Sequence, residues 1–184
     1  MSAHTALNGA ARLIRCHRLG LGTSAQFQTL GSAQIGAFTT AQVRNLETED
    51  LAALSTAQIR ALTTQTVAAM DSAHISALST AQLTALSTQQ LQTIDTADVS
   101  AFSSTTVSGL SAAQMGAFTS AQLAALATDQ LQLLSSSQLR GLGTGQIATL
   151  GTADLDTLTT AQFRALSVNQ IAALSTAQIG RAHV

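Results

Sequence analysis

Residues 55–62 read STAQIRAL, and close variants of these eight residues follow one another without a gap from Thr23 to Ile179. The variant STAQLTAL stands at 79–86 and TTAQFRAL at 159–166. The fifth position is apolar in all twenty repeats and the eighth in all nineteen complete ones, so these two positions must supply the core. The fold of the chain is therefore set by an octapeptide repeat.

The first and fourth positions of the repeat carry the signals of a helix start. The first is Ser, Thr, Asp or Gly in eighteen of twenty repeats, and these residues are preferred at a helix N-cap. The fourth is Gln in fourteen repeats, as in Ser55 with Gln58, and this spacing is that of a capping box. Leu54 and Ile59 then fall at the two positions of a hydrophobic staple. Each repeat is therefore predicted to begin a new helix.

A single continuous helix does not fit an eight-residue period. Eight residues at about 100° each overshoot two turns by about 80°, so the apolar stripe would wind around the helix. Helices of about six residues are well below the ~12–15 residues at which an isolated helix is marginally stable. Neighbouring repeats must therefore pack together, and small residues at the third and seventh positions would let them approach closely. The sequence predicts an all-α solenoid of about twenty short capped helices.

A β-solenoid is the alternative fold. In STAQIRAL the third, fifth and seventh residues alternate with polar ones, and half of the fifth positions are Ile or Val, which suits a strand. The strand interpretation leaves the Gln at position four without a role, and most repeats lack the Gly, Asn or Asp that corners require. The helical interpretation is therefore preferred.

The composition argues against several kinds of site. The eight Arg residues form no basic stripe of the kind that binds nucleic acid, and the formal net charge is −1. Apolar stretches are interrupted every few residues, which excludes a run of about 18 that could span a membrane. Cys16 is the only cysteine, so no disulfide or thiolate metal site can form within the chain. Because no catalytic constellation stands out, the sequence predicts no enzyme, no cofactor and no catalytic, cofactor-binding or metal-binding residue.

A few residues resemble ligands, but the repeat explains them. His74 stands where most repeats have Gln, and it is interpreted as a substitute for that Gln rather than a metal or haem ligand. Cys16 and His17 are adjacent but lack a CxxCH pattern. Several acidic residues fall in predicted first turns, where the helix dipole favours carboxylates: Glu47, Glu49, Asp50, Asp95 and Asp98. Four arginines share the sixth position and are interpreted as a solvated face: Arg44, Arg60, Arg140 and Arg164.

The second position is Ser or Thr in eighteen of twenty repeats. A row of hydroxyls along a regular solenoid could face solvent, carry O-glycans, or bind a repetitive lattice such as ice or a polysaccharide. A soluble surface is the preferred interpretation.

The N-terminal segment, residues 1–22, does not fit the repeat. It contains Arg12, Arg15 and Arg18 and no acidic residue. An Arg-rich, acid-free start is typical of some targeting segments, but these arginines interrupt any apolar region that a secretory signal would need. The segment is therefore interpreted as a degenerate cap.

The C-terminal residues also depart from the repeat. Residues 179–184 read IGRAHV, where the repeat predicts two further residues and a Leu after Ile179. This hexapeptide resembles the translation of a common sequencing-adapter segment. Residues 180–184 are therefore expected to be a non-native tail, and the octapeptide-repeat solenoid is expected to cover residues 23–179.

The repeats resemble octapeptide tracts of the LTTAQ type in long, low-complexity bacterial proteins. The resemblance covers the whole repeat region and rests on LSTAQIRAL at 54–62, LSTAQLTAL at 78–86 and LTTAQFRAL at 158–166. It implies a non-enzymatic structural or adhesive segment, a spacer or stalk, of a larger protein at the bacterial cell surface. A partner- or ligand-binding scaffold, with a protein or carbohydrate surface as its partner, is the alternative. A haem-binding or an ice- or polysaccharide-binding module is a further one. The resemblance transfers no functional residue.

Overall fold

The structure, a computed structural model, describes residues 24–181. Within that range the chain forms twenty α-helices of four to six residues and contains no strand. This confirms the all-α prediction, and the alternative of a β-solenoid is wrong. The predicted non-repeat segment 1–22 and residues 182–184 of the predicted tail lie outside the described residues.

The helices fall into two compact halves, which meet in sequence between Ile94 and Asp95. The helices of the N-terminal half are α1 (Ser24–Gln28), α2 (Ser32–Gly36), α3 (Thr40–Arg44), α4 (Thr48–Ala53), α5 (Thr56–Ala61), α6 (Thr64–Val67), α7 (Ser72–Ala77), α8 (Thr80–Ala85) and α9 (Thr88–Gln92). Those of the C-terminal half are α10 (Thr96–Ser100), α11 (Ser104–Gly109), α12 (Ala112–Ala117), α13 (Ser120–Ala124), α14 (Thr128–Gln132), α15 (Ser136–Gly141), α16 (Thr144–Ala148), α17 (Thr152–Asp156), α18 (Thr160–Ala165), α19 (Val168–Ala172) and α20 (Thr176–Arg181).

Each repeat is a short helix followed by an extended corner. In α5 the N-cap Ser55 has φ −69° and ψ 160°, and the C-cap Leu62 has φ −60° and ψ 144°, so both flanking residues are extended. The backbone N–H of Leu62 donates to the carbonyl of Ile59 at 3.2 Å, which closes the last turn. The helix therefore makes about one and a half turns before the chain changes direction.

Within each half, every helix packs against the third helix along the chain. In the N-terminal half the stacks are α1 with α4 and α7, α2 with α5 and α8, and α3 with α6 and α9. In the C-terminal half they are α10 with α13, α16 and α19, α11 with α14, α17 and α20, and α12 with α15 and α18. One turn of the solenoid, called a coil below, therefore takes three repeats, and each stack is called a column.

The fifth and eighth positions form the core, as predicted. Ile59 and Leu139 at the fifth position are 0% exposed, and Leu62 and Leu142 at the eighth are 4% and 3% exposed. Burial of these side chains is the main driving force for stacking, because each large apolar side chain contributes about 1.5–3 kcal/mol when removed from water.

The predicted role of the small residues holds for the seventh position and is wrong for the third. The third position is exposed in every described repeat, whereas seventh-position alanines such as Ala85 and Ala165 are only 8% and 6% exposed. The helix geometry explains this difference. The third residue lies about 200° around the helix from the buried fifth, while the seventh lies about 60° from the buried fourth and so faces a neighbouring coil.

The closest approach of two helices is the crossing of α12 and α15. A Cβ added to Gly141 would lie 2.3 Å from the carbonyl oxygen of Ala112, and one added to Gly116 would lie 2.2 Å from the carbonyl oxygen of Gly141. Both contacts are with backbone, which cannot rotate away as a side chain can. The pair of glycines therefore permits a helix contact that no other residue would allow.

Candidate functional site

The buried polar side chains of the described residues all stand at position four of the repeat. They are at most 8% exposed, although polar groups are normally found at the surface. The set comprises Asp50, Gln58, Thr66, His74, Gln82, Gln90, Asp98, Thr106, Gln122, Gln130, Gln138, Gln146, Gln162, Gln170 and Gln178. Any role for buried polar chemistry in this part of the chain must therefore be sought in one row of side chains.

Gln58 shows how this row is satisfied. Its Oε1 accepts a hydrogen bond from the backbone N–H of Ser55 at 2.8 Å, and its own backbone N–H donates to Ser55 Oγ at 3.3 Å, which confirms the capping box. Its Nε2 donates to the carbonyls of Phe27 and Leu30, each at 2.8 Å. These carbonyls end the first repeat of the preceding coil, where the helix leaves them without an intrahelical donor. One side chain thus caps its own helix and links two coils.

This link recurs along both halves of the chain. The Nε2 atom of a position-four residue contacts the eighth-position carbonyl 28 residues earlier in Gln58, His74, Gln82, Gln90, Gln130, Gln138, Gln146, Gln162, Gln170 and Gln178. The separation of 28 residues equals one coil of 24 plus the four residues between the Gln and the corner before its helix. The stacking of coils is therefore specified by hydrogen bonds as well as by apolar burial.

The reach of this Gln to another coil was missed in the sequence, although a signal for it exists. A capping box accepts Glu as readily as Gln, and the helix dipole favours Glu near a helix N-terminus. No repeat has Glu at position four. Only an amide can accept from the cap N–H with one atom and donate to a carbonyl with the other.

His74 takes both roles of the Gln that it replaces. Its Nε2 lies 2.9 Å from the carbonyl oxygen of Leu46, and its Nδ1 lies 3.3 Å from the backbone nitrogen of Asp71. Nδ1 is also 2.7 Å from Asp71 Oδ1, so a protonated ring would donate to that carboxylate. The side chain is buried at 5% exposure. The interpretation of His74 as a substitute for Gln is confirmed, and binding of iron by either ring nitrogen would break one of these contacts.

Asp71 is the residue whose ionisation responds most clearly to this arrangement. The backbone N–H of His74 donates to its carboxylate and lowers the pKa of Asp71 below its ordinary value of 3.8, and the nearby imidazole lowers it further. Hydrogen bonds to a carboxylate stabilise its charged form. The N-cap of α7 is therefore ionised at neutral pH.

The acidic residues lie where the sequence placed them. Glu49 and Asp50 are in the first turn of α4 and Asp98 is in the first turn of α10, whereas Glu47 and Asp95 are the N-caps of these helices. Within residues 24–181, no three His, Cys, Asp or Glu side chains are grouped as a bound metal ion would require. The described acidic residues are therefore explained by their places at helix starts.

The arginines at position six are exposed, but two of them do more than face solvent. Arg60 Nε donates to the carbonyl of Ala85 at 3.2 Å, and Arg140 Nε donates to that of Ala165 at 3.0 Å. In both cases the acceptor is 25 residues later, in the next coil. The interpretation of these arginines as a solvated face is therefore incomplete, since a guanidinium also satisfies a helix C-terminal carbonyl.

Charged side chains are separated by column. In the C-terminal half, Asp129, Asp154 and Asp156 belong to the column of α14 and α17, and Arg140 and Arg164 belong to the column of α15 and α18. Helices α13, α16 and α19 of the third column carry no charged residue. In the N-terminal half all four acidic residues belong to the column of α4 and α7: Glu47, Glu49, Asp50 and Asp71. The outer surface is therefore not uniform.

The hydroxyls at position two lie on the surface, as expected. Every described residue at this position is exposed or half-buried, and Val168, which replaces the hydroxyl in one repeat, is 84% exposed. Thr128 donates to Asp154 Oδ1 at 3.0 Å, which joins α14 to α17. Whether the row binds a regular lattice stays a prediction.

Two further predicted features require only a short statement. None of the described helices is long and apolar enough to cross a membrane. Cys16, His17 and the three arginines of the N-terminal segment lie outside the described residues.

Short capped helices that stack on every third neighbour, with their buried polar groups engaged in capping and stacking, define a helical repeat scaffold. The chain belongs to the ALTTAQ repeat family, whose repeat matches residues 43–80, 91–128 and 147–181, more than half of the chain in total. The predicted resemblance to LTTAQ-type octapeptides is thereby confirmed as far as the repeat is concerned. A comparison with curated proteins finds no match.

Proposed function

We propose that the chain is a non-enzymatic repeat segment with a structural or adhesive role in a larger protein of a bacterial cell surface. The observation that carries this proposal is the confinement of buried polar side chains to position four. Those side chains cap helices and join coils, so the described interior holds the scaffold together and leaves interactions to the outward positions. The resemblance of the repeats to LTTAQ-type tracts supports the surface location.

A labelling experiment on intact cells tests the location. An antibody raised against a folded fragment of the repeat would be applied to whole and to lysed cells of the source organism. Labelling of whole cells that is removed by external protease would support the proposal. Labelling that requires lysis would contradict it.

A partner-binding scaffold is the second candidate, and the separation of charge by column favours it. A pure spacer needs only a soluble exterior, whereas a binding surface needs a contiguous patch of one character. Arg140 and Arg164 stand 24 residues apart, on neighbouring helices of one column. This pair would suit an acidic partner surface.

Retention on an acidic matrix tests this second candidate. The double substitution Arg140→Gln with Arg164→Gln removes both charges from one column, and the control Arg44→Gln with Arg60→Gln removes the same total charge from two different columns. A column-specific surface predicts that the first variant loses more retention on a polyglutamate resin than the control. Equal losses would indicate net charge alone.

Haem binding is not favoured by the surroundings of His74. Both ring nitrogens are within hydrogen-bonding distance of protein groups, and the side chain is buried. A Soret band that appears on haem titration and is lost in His74→Ala would support haem binding nonetheless, and its absence would remove that reading.

A further inference from the structure

The last coil of the described chain ends in a surface that resembles an unfinished interface between coils. Phe163, Ile171 and Ile179 stand at the fifth position, which is buried in all earlier repeats. Phe163 is half-buried, and Ile171 and Ile179 are 36% and 40% exposed. These apolar side chains therefore form a continuous edge at the end of the columns.

The backbone at this edge offers hydrogen-bond acceptors in the pattern of an interior coil. In the interior, the carbonyls of Leu134, Leu142 and Leu150 accept from glutamines 28 residues later. The equivalent carbonyls one coil further on are those of Leu158, Leu166 and Leu174, and glutamines 28 residues after them would lie beyond residue 184. Within the described chain these three carbonyls receive no such amide.

Arg164 repeats the same pattern with a donor. Its equivalent one coil earlier, Arg140, donates from Nε to the carbonyl of Ala165, 25 residues later. Arg164 is exposed at the edge of the last coil, one coil beyond Arg140. The edge therefore combines apolar side chains, three acceptors and a cationic donor at the spacings that an interior coil uses.

We propose that this edge is a docking surface for another coil of the same repeat, supplied by a separate molecule. The occupant is a run of three octapeptides with Gln at position four and apolar residues at positions five and eight. The interface between neighbouring coils specifies that chemistry, because its amides would meet the free carbonyls and its apolar residues would cover Ile171 and Ile179. The proposal is independent of where the protein is located.

A synthetic peptide of residues 119–142 is the direct probe. It carries Gln122, Gln130 and Gln138, which would face the carbonyls of Leu158, Leu166 and Leu174 in order. Titration of the peptide into the isotopically labelled full chain, followed by NMR, should give saturable one-to-one shifts at residues 155–181. The peptide must order on binding, so an affinity in the micromolar range is expected rather than a tighter one.

A matched peptide tests the hydrogen bonds. Glu at the three Gln positions keeps the capping acceptor and removes the amide donor. The substituted peptide should bind at least about tenfold more weakly, because three carbonyls would face carboxylates instead of amides. Equal binding of the two peptides would overturn the proposed geometry.

Variants of the full chain test the apolar part of the surface. Ile171→Ser should weaken peptide binding about tenfold, since it removes an apolar contact at the centre of the edge. Val168→Ser is the control, because Val168 lies on the same helix and is 84% exposed but stands at position two, which does not contact other coils. Circular dichroism would confirm that both variants retain the wild-type helix content.

Three results would overturn the proposal. The first is an absence of saturable shifts at millimolar peptide. The second is an equal loss of binding in Val168→Ser and Ile171→Ser. The third is a dimer of the full chain that the peptide does not dissociate, since a second copy would then occupy the edge in a different way.

Discussion

The coil of residues 135–158 and the last described coil have the same repeat but different surroundings. The fifth-position residues Leu139, Ile147 and Leu155 are at most 1% exposed, whereas Ile171 and Ile179 are 36% and 40% exposed. The interior coil has neighbours on both sides, and the last coil has one. The same octapeptide is thus buried or open according to the coil that follows it, so stability resides in the interfaces between coils and not in single repeats.

The largest expected effect comes from a matched pair of isoleucines. Ile147 is 0% exposed and Ile171 occupies the equivalent position one coil later. Ile147→Ala should lower the free energy of unfolding by about 2–5 kcal/mol, because it leaves a cavity between two coils. Ile171→Ala should cost about 1 kcal/mol, since part of this side chain is already in water. Urea denaturation measures both, and equal losses would show that burial between coils does not govern stability.

The second comparison concerns the fourth position. Gln138 is 2% exposed and donates to the carbonyls of Val107 and Leu110, whereas Gln34 is half-buried and its described side-chain bond is to its own cap. Gln138→Glu should lose about 2–3 kcal/mol of stability, because it leaves two buried carbonyls without a donor and adds a charge. Gln34→Glu should change stability by less than about 0.5 kcal/mol, since Glu also suits a capping box. Equal effects in urea denaturation would exclude a donor role for the interior amide.

The third comparison uses glycines of neighbouring repeats. A Cβ at Gly141 would meet the carbonyl of Ala112 at 2.3 Å, while a Cβ at Gly145 would meet nothing within 4 Å. Gly141→Ala should therefore cost about 1–3 kcal/mol by forcing α12 and α15 apart. Gly145→Ala should stabilise by up to about 1 kcal/mol, because Gly is a poor helix former. A stabilised Gly141→Ala in thermal unfolding would show that these helices do not cross closely.

The smallest effect concerns acid stability at the N-cap of α7. The pKa of Asp71 is lowered in the folded chain, chiefly by the backbone N–H of His74, so its contribution is present above pH 3.8 and is lost as the pH falls through its folded pKa. Asp71→Ser keeps a hydroxyl cap without a charge. The variant should therefore be less stable than the wild type at about pH 6, and the difference should shrink by about pH 2. A difference that widens in acid would contradict this sign.

Much of the architecture could be predicted because the repeat encodes local structure directly. The N-caps, the Gln of the capping box and the apolar fifth and eighth positions specify each helix and its buried side without reference to other coils. The role of His74 followed from the same register. These features depend on neighbours within eight residues, which a sequence displays in full.

The relations between coils could not be predicted from the period alone. An eight-residue repeat does not state how many repeats complete a coil, and the closure at three depends on the angle of each corner. The second role of Gln58, the donation of Arg60 to the next coil and the crossing at Gly141 all depend on that number. The absence of Glu at position four and the spacing of Gly116 and Gly141 were visible, but they acquire meaning only when repeats 24 residues apart are placed side by side.

The most direct test of the stacking is the position of the side-chain amide of Gln138. In an isotopically labelled chain, the Hε2 protons of Gln138 should show nuclear Overhauser effects to residues 107–110, about 28 to 31 residues earlier, and these protons should exchange slowly with solvent. Cross-peaks confined to residues 134–142, together with fast exchange, would contradict the assignment of three helices to each coil and of the amide to the link between coils.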